Sequence, residues 1–311
     1  MRIAVIDLGT NTFNLLVAES TEGGQFIPLY NERLPVRLGE GGINTGIITD
    51  AAYMRGLEAM DIYSEAIRQW HVDKKMAFAT SAIRNSSNGI QFTDDVFHRT
   101  GIKISVISGD EEARYIFLGV KQALQFHESN SLIMDIGGGS TEFIIVNRDG
   151  MIWKQSFEIG ASRLLQRFKP SDPIRPEEIQ AISEYLGEQL HALKEAVLEN
   201  PVTELIGASG SFESLAEMIL ARFFPEEEFD GTEFVFDLGQ ADVIHQLLLQ
   251  STQEQRLQIK GLVAMRVDMI VISAILVEWI IRELNIGHMR MSAYALKEGV
   301  LNEFLSRQSE K

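Results

Sequence analysis

The 311-residue chain carries 28 Lys and Arg against 44 Asp and Glu, a formal charge of −16, with 45% hydrophobic residues, 23% charged residues and no cysteine. Length and composition are those of a globular protein with room for two domains. The acidic field disfavours nucleic acid and anionic membrane as partners, and the missing thiols exclude disulfides, thiolate zinc sites and a cysteine nucleophile.

The chain enters an apolar strand at once, with no export signal, and residues 269–277, its most apolar stretch, fall short of the ~20 that span a bilayer; a cytoplasmic location is therefore expected. Residues 3–6, 13–18 and 26–36 read as three successive strands, with Glu22, Gly23 and Gly24 turning a hairpin between the last two. Thr49 is placed to cap a helix over 51–69 that gathers Leu57, Met60, Ser64 and Ile67 near one face. Residues 75–80 and 102–107 read as buried strands, each followed by a small-residue turn and a helix. The second half repeats the order, with strands at 132–136, 141–147 and 151–159 and a turn at Asp149-Gly150. Pro170, Pro173 and Pro176 form a connector, after which Ile179, Ile182, Leu186, Leu190, Leu193 and Val197 step by three and four as one long amphipathic helix. A strand at 203–207, a turn at 207–211, a helix at 212–222 and an acidic loop at 225–230 follow. A helix apolar nearly all round (268–284), a strand (288–292) and a closing helix (295–304) complete the chain. The repeat puts a domain boundary near 126–130: residues 1–126 against 127–294, with 295–311 returning to the first domain.

The two halves carry one device twice. IAVIDLGTNTFNLLVAE from Ile3 and LIMDIGGGSTEFIIV from Leu132 each run strand, aspartate, glycine-rich turn, strand, with Asp7 and Asp135 separated by 135 − 7 = 128 positions. Glycine permits the close approach and positive φ that aim backbone N–H groups at an anion, and the aspartate suits a hydrated cation bound to that anion. Two such turns, Gly9, Thr10 and Asn11 against Gly137, Gly138, Gly139 and Ser140, predict facing halves that clamp a phosphate compound between them. Because the net charge repels a polyanion, binding must rest on local cations, oriented amides and a divalent metal; a Mg²⁺ requirement is expected.

The six histidines form no HExxH motif, and neither a GxxxxGK[ST] loop nor a GxSxG elbow is present, which removes the common zinc hydrolases, P-loop enzymes and serine hydrolases. In VISGDEEAR, Ser108 and Glu111 form a capping box at the start of a helix, so Glu111 has a structural task and Glu112, ~100° around the axis, is free to orient and deprotonate a water. The helix dipole is expected to hold Glu112 ionised, although the same three acids, Asp110, Glu111 and Glu112, also simply complement a helix terminus. Asp135 and Glu142 flank the second turn and can both face its tip, there to hold Mg²⁺ or, in the plainer reading, to stabilise the turn and face solvent. Arg84 follows a strand and can fork onto phosphate or remain a surface charge. Gly207, Ser209, Gly210 and Ser211 form a third strand-turn-helix phosphate candidate, or a packing turn.

Together DLGTNTFNLLVAE, the Arg84 segment, ISGDEEAR, DIGGGSTEFIIV and GASGSFESLAEM resemble, in order and spacing, the exopolyphosphatase and guanosine pentaphosphate phosphatase (Ppx/GppA) family over nearly the whole chain. The resemblance implies an α/β fold of two RNase H-like domains of the actin-like (ASKHA) type with an interdomain cleft. It also implies removal of the terminal phosphate from inorganic polyphosphate or guanosine pentaphosphate. By motif, Glu112 is similar to the family's catalytic base, Asp135 and Glu142 to its magnesium-site acids, and Arg84 to its phosphate-binding arginine. The family commonly reads SDYGLREG where this chain has Ser292-Ala293-Tyr294-Ala295-Leu296-Lys297-Glu298-Gly299, and the histidine-rich extension of longer members is absent. Processive grip on long chains is then expected to be weaker or to require a homodimer. Rival readings are an ATP-dependent phosphotransferase, a phosphonucleotide sensor and an actin-like assembly protein.

Overall fold

The structure is a computed structural model that describes residues 1–21, 25–208 and 210–309. The hairpin turn expected at 22–24 lies outside the described residues. The first sheet takes β1 (Arg2–Leu8), β2 (Phe13–Ser20), β3 (Phe26–Leu34), β4 (Lys74–Ala79) and β5 (Ile104–Val106) in the order β3-β2-β1-β4-β5. Between them lie α1 (Asp50–Gln69), α2 (Ser81–Arg84) and α3 (Gly89–Thr100), and α4 (Gly109–Ala123) follows β5. The second sheet takes β6 (Asn130–Ile136), β7 (Thr141–Asn147), β8 (Gly150–Phe157), β9 (Val202–Gly207), β10 (Glu233–Phe236) and β11 (His288–Ser292) in the order β10-β11-β9-β6-β7-β8. Its helices are α5 (Ala161–Phe168), α6 (Pro176–Gln189), α7 (His191–Glu199), α8 (Gly210–Phe223), α9 (Leu238–Gln250), α10 (Gln253–Arg256), a 3₁₀ turn at Ala264–Arg266 and α11 (Ile270–Glu283); α12 (Leu296–Ser309) comes last.

The repeat read from the sequence is thus a repeat of sheet order: β8-β7-β6-β9-β11 matches β3-β2-β1-β4-β5, and β10 adds an antiparallel edge. The strands of the two sheets do not interleave along the chain: the first sheet ends with β5 and the second begins with β6. Each sheet buries one face against its own helices. Ile6, Leu8 and Phe13 pack with Leu57, Met60 and Tyr63 of α1, and Leu132, Met134 and Phe143 pack with helices of the second half.

The opposite faces meet in a third core that both sheets share. Ile3 and Val5 of β1, Ile133 of β6 and Ile144 of β7 close on Ile116 and Val120 of α4 and on Val300 and Leu301 of α12. Two glycines let these helices touch backbone to backbone: a Cβ at Gly119 would lie 1.9 Å from the Ala295 carbonyl oxygen, and one at Gly299 would lie 1.9 Å from that of Tyr115. Bidentate pairing of Arg114 with Glu303 adds a polar clasp.

Several local expectations are revised. The apolar stripe at 179–197 spans two helices, because Leu190, with ψ of 22°, breaks the first. Three-four spacing fixes which face is buried and is indifferent to such a break. Thr49 occupies the N-cap position, but its hydroxyl makes no cap bond and instead donates to the Glu40 carbonyl (3.2 Å). The strand at 102–107 contracts to Ile104–Val106, the edge of its sheet.

Replacing Gly299 with valine is expected to overpack the α4–α12 crossing at a cost of about 3 kcal/mol, seen as a clear drop in the thermal midpoint. An unchanged midpoint would show that the helices do not meet as described.

Candidate active site

The twin turns are superposable in register as well as in sequence. Asp7 stands opposite Asn14 across β1 and β2, Asp135 stands opposite Glu142 across β6 and β7, and every position differs by 128 (135 − 7, 142 − 14). A Cβ at Gly9 would meet the Thr12 carbonyl oxygen at 2.8 Å, and one at Gly137 would meet that of Ser140 at 2.9 Å, again 128 apart. Neither turn uses a glycine at positive φ, contrary to expectation. Glycine serves closeness here.

The turns face each other directly. A Cβ at Gly138 would strike the Asn11 amide, and one at Gly139 would strike the hydroxyls of Ser81 and Thr10. Asn11 accepts from Ser162 (2.6 Å) at the start of α5. Arg163 donates to the carbonyl oxygens of Gly139 (2.8 Å) and Ile43 (2.9 Å), and so ties a loop of the first half to the second turn.

Between the turns lies a cleft of about 330 Å³. Its walls include Asp7, Gly9, Thr10, Asn11, Glu112, Asp135, Gly137, Gly138, Gly139, Ser140, Glu142, Gly210 and Ser211, so most of the residues selected from the sequence converge. Three stand apart. Gly207 packs beneath the Phe212 ring, and Ser209 lies outside the described residues. Arg84 is not on the wall; its guanidinium donates to Glu112 (2.9 Å) and to the Ile107 carbonyl oxygen (3.2 Å) and lies 3.5 Å from Glu158.

The helix that presents Glu112 starts as read: Ser108 accepts from the Glu111 amide (3.2 Å) and the Glu111 carboxylate from the Ser108 amide (3.0 Å). Glu112 itself is buried. The dipole does not decide its charge: burial and the neighbouring Glu142 drive its pKa well up, against the pull of Arg84. Burial likewise raises Asp135, helped by Glu142 and Asp7, and lifts Asp7 to about 6 despite Lys297 and Asn14. Glu142 is buried as well and rises to about 7, even though it accepts from Ser156 at 2.7 Å. Four carboxylates therefore share a site short of positive charge.

That donor set suits a hard cation. Among the described residues no three His, Asp or Glu side chains converge into an all-protein metal cage. Asp135 and Glu142, paired on adjacent strands, supply two carboxylates and leave further positions to water and phosphate oxygens, the manner in which Mg²⁺ is commonly held.

The sequence reading missed three cations on the cleft wall: Arg33, Arg266 and Lys297. Arg33 and Arg266 sit in no motif and carry no local signal. Lys297 was visible only as a departure, standing where SDYGLREG has arginine; it is buried on α12 and donates weakly to Asn31 (3.4 Å).

Two mixed sheets in matching order, closing paired glycine turns over a carboxylate-lined cleft, define an enzyme of the actin-like ASKHA fold. The chain matches the Ppx/GppA phosphatase family over residues 16–308 and belongs to it. It is 38% identical to an exopolyphosphatase of Cytophaga hutchinsonii whose crystal structure superposes with a TM-score of 0.95, covering 99% of this chain and 98% of that one. It is 27% identical to Exopolyphosphatase 1 of Mycobacterium bovis across 100% of this chain and 90% of the relative. An Aquifex aeolicus Ppx/GppA structure, 24% identical over 100% of this chain and 99% of that one, shares the fold with a TM-score of 0.81. No helix among the described residues is long and apolar enough to cross a membrane.

A carboxyl whose pKa is raised by folding leaves stability intact below its unfolded value and withdraws it as pH climbs through the folded one. For Asp7 and Glu142 that window runs from 3.8 and 4.5 to about 6 and 7. Asp135→Asn is accordingly expected to raise the metal-free thermal midpoint by roughly 5 °C near pH 8 and by much less near pH 5. A gain independent of pH would contradict carboxylate crowding.

Proposed function

We propose that the protein is an exopolyphosphatase, a phosphoanhydride hydrolase that releases the terminal phosphate of inorganic polyphosphate by attack of a water activated by Glu112. The convergence of both turns, Glu112, Asp135 and Glu142 on one cleft carries this reading. The full-length similarity to proteins named exopolyphosphatase supports the substrate class.

In this reading the N–H groups of residues 9–11 and 137–140 hold the phosphate oxygens, and Asp135 and Glu142 are the groups that would hold Mg²⁺. The cation, when bound, neutralises charge on the phosphoanhydride. Glu112 takes the proton of the attacking water. Its raised pKa makes it, once deprotonated, a stronger base than an ordinary glutamate. Arg84 turns from Glu112 toward the incoming phosphate, which frees the base and supplies a fork to the terminal group. Positioning and charge neutralisation then provide the rate.

Phosphate release from long polyphosphate, tripolyphosphate and guanosine pentaphosphate, each with and without Mg²⁺, is the deciding assay. We expect polyphosphate to be the best substrate and excess EDTA to abolish turnover; preference for guanosine pentaphosphate would move the protein to the other branch of its family. Glu112→Gln is expected to fold and bind substrate yet lose ~10²-fold or more in kcat. In the wild type, kcat/KM is expected to fall on acidification well above pH 4.5, the ordinary value for glutamate. Wild-type rates in Glu112→Gln would remove Glu112 from the mechanism, and acceptor-dependent ADP formation from ATP would favour a phosphotransferase.

A further inference from the structure

The cleft wall carries six acids, Asp7, Glu112, Asp135, Glu142, Glu213 and Glu298, but only three cations among the described residues. A polyanion longer than one phosphate must find its hold on those three. Two of them already grip one and the same carboxylate. Arg33, from β3 of the first sheet, forks onto Glu213, with Nη2 donating to Oε1 at 2.8 Å and Nη1 donating to Oε2. Arg266, from the 3₁₀ turn before α11, donates to Glu213 Oε2 (3.0 Å) and to the Ser214 hydroxyl (2.9 Å).

The backbone makes room for this arrangement. A Cβ at Gly210, the first residue of α8, would lie 2.0 Å from Arg266 Nη2, so a larger residue there would expel the guanidinium. Glu213 is in the first turn of the same helix. The Arg33 and Glu213 side chains remain 35% and 25% accessible, enough to be reached from the cleft. Although burial opposes it, Arg33 and Arg266 hold the Glu213 carboxyl down at about 2, so it is always a competing anion at working pH.

We propose that Glu213 is a specificity-determining residue: its carboxylate occupies a twin-guanidinium seat, built by Arg33 and Arg266 from opposite halves, that receives a phosphate group of the substrate beyond the one being cleaved. This rests on the phosphoanhydride reading above and adds where the rest of the chain is held. A guanidinium fork matches carboxylate and phosphate alike, so the exchange conserves geometry. A substrate too short to reach the seat leaves Glu213 in place. A long one delivers further phosphates at high effective concentration once its end is bound, and displaces it. Glu213 thereby sets a chain-length threshold.

A plain ionic latch between the halves predicts otherwise, since breaking it from either side would only loosen the cleft. The test is calorimetric binding of pyrophosphate and of long-chain polyphosphate, with Mg²⁺, in the Glu112→Gln background, where turnover is slow. Adding Glu213→Gln is expected to tighten long-chain binding about tenfold and to change pyrophosphate binding less than about twofold; adding Arg33→Met is expected to weaken long-chain binding about tenfold. Opposite signs for the two variants establish the seat. Unchanged or weakened long-chain binding in Glu213→Gln, or unchanged binding in Arg33→Met, overturns it. Should Glu213→Gln be too unstable to titrate, Glu213→Ala takes its place beside Arg33→Met, with the same opposite signs expected and the same outcomes overturning the seat. Because binding is read without hydrolysis, a protein that binds in this pattern but never releases phosphate keeps the seat and loses the hydrolase reading, and the converse result does the reverse.

Discussion

Everything at the centre of this molecule follows from like charges held close. Asp7, Glu112, Asp135 and Glu142 line one cleft, and their raised pKa values express desolvation first, with repulsion from neighbouring carboxylates added: Glu142 and Asp7 on Glu112 and Asp135, Glu298 on Asp7 and Glu158 on Glu142. Such a cluster is costly unless protons, cations or hydrogen bonds relieve it. The protein supplies partial relief only: Arg84 on Glu112, Ser156 on Glu142, Asn14 and Lys297 toward Asp7. The residual deficit of positive charge, in a protein of formal charge −16, is the electrostatic reason for proposing that a divalent cation accompanies an anionic substrate into the site.

Holding that cluster together is the work of the shared core. Each sheet brings one turn, but Glu112 comes from α4, and α4 lies between the sheets with α12 at its side. Glu112 is therefore positioned by apolar contacts from both halves, while the turns are positioned by their own hairpins and locked against each other by Asn11, Ser162 and Arg163. Hydrophobic burial away from the cleft sustains electrostatic strain within it.

The sequence was most legible where chemistry demands a contiguous motif. The duplicated turns announced both hairpins and their facing arrangement, because tight turns need glycine at fixed offsets, and the Ser108–Glu111 box located the start of α4 to the residue. Illegible were contacts assembled across the chain. Arg84 and Glu112 are 28 positions apart, Arg33 and Glu213 are 180 apart, and no local pattern records either pairing. The stretch from 233 to 266 also passed unread, although Asp237 caps α9 by accepting from the Gln240 amide and Ala241, Ile244 and Leu248 keep helical spacing. The direction of the Glu112 pKa shift was misjudged for a related reason: a helix terminus is visible in sequence, whereas the depth of burial that outweighs it is not.

The glycine-to-glycine crossing of α4 and α12 has a bearing on biosynthesis. The helix carrying Glu112 is made early, but part of the surface it rests on is supplied by residues near position 300, so a nascent chain still lacking them leaves Ile116 and Val120 without Val300 and Leu301 against them. The packing that surrounds Glu112 is therefore complete only once α12 has docked on α4.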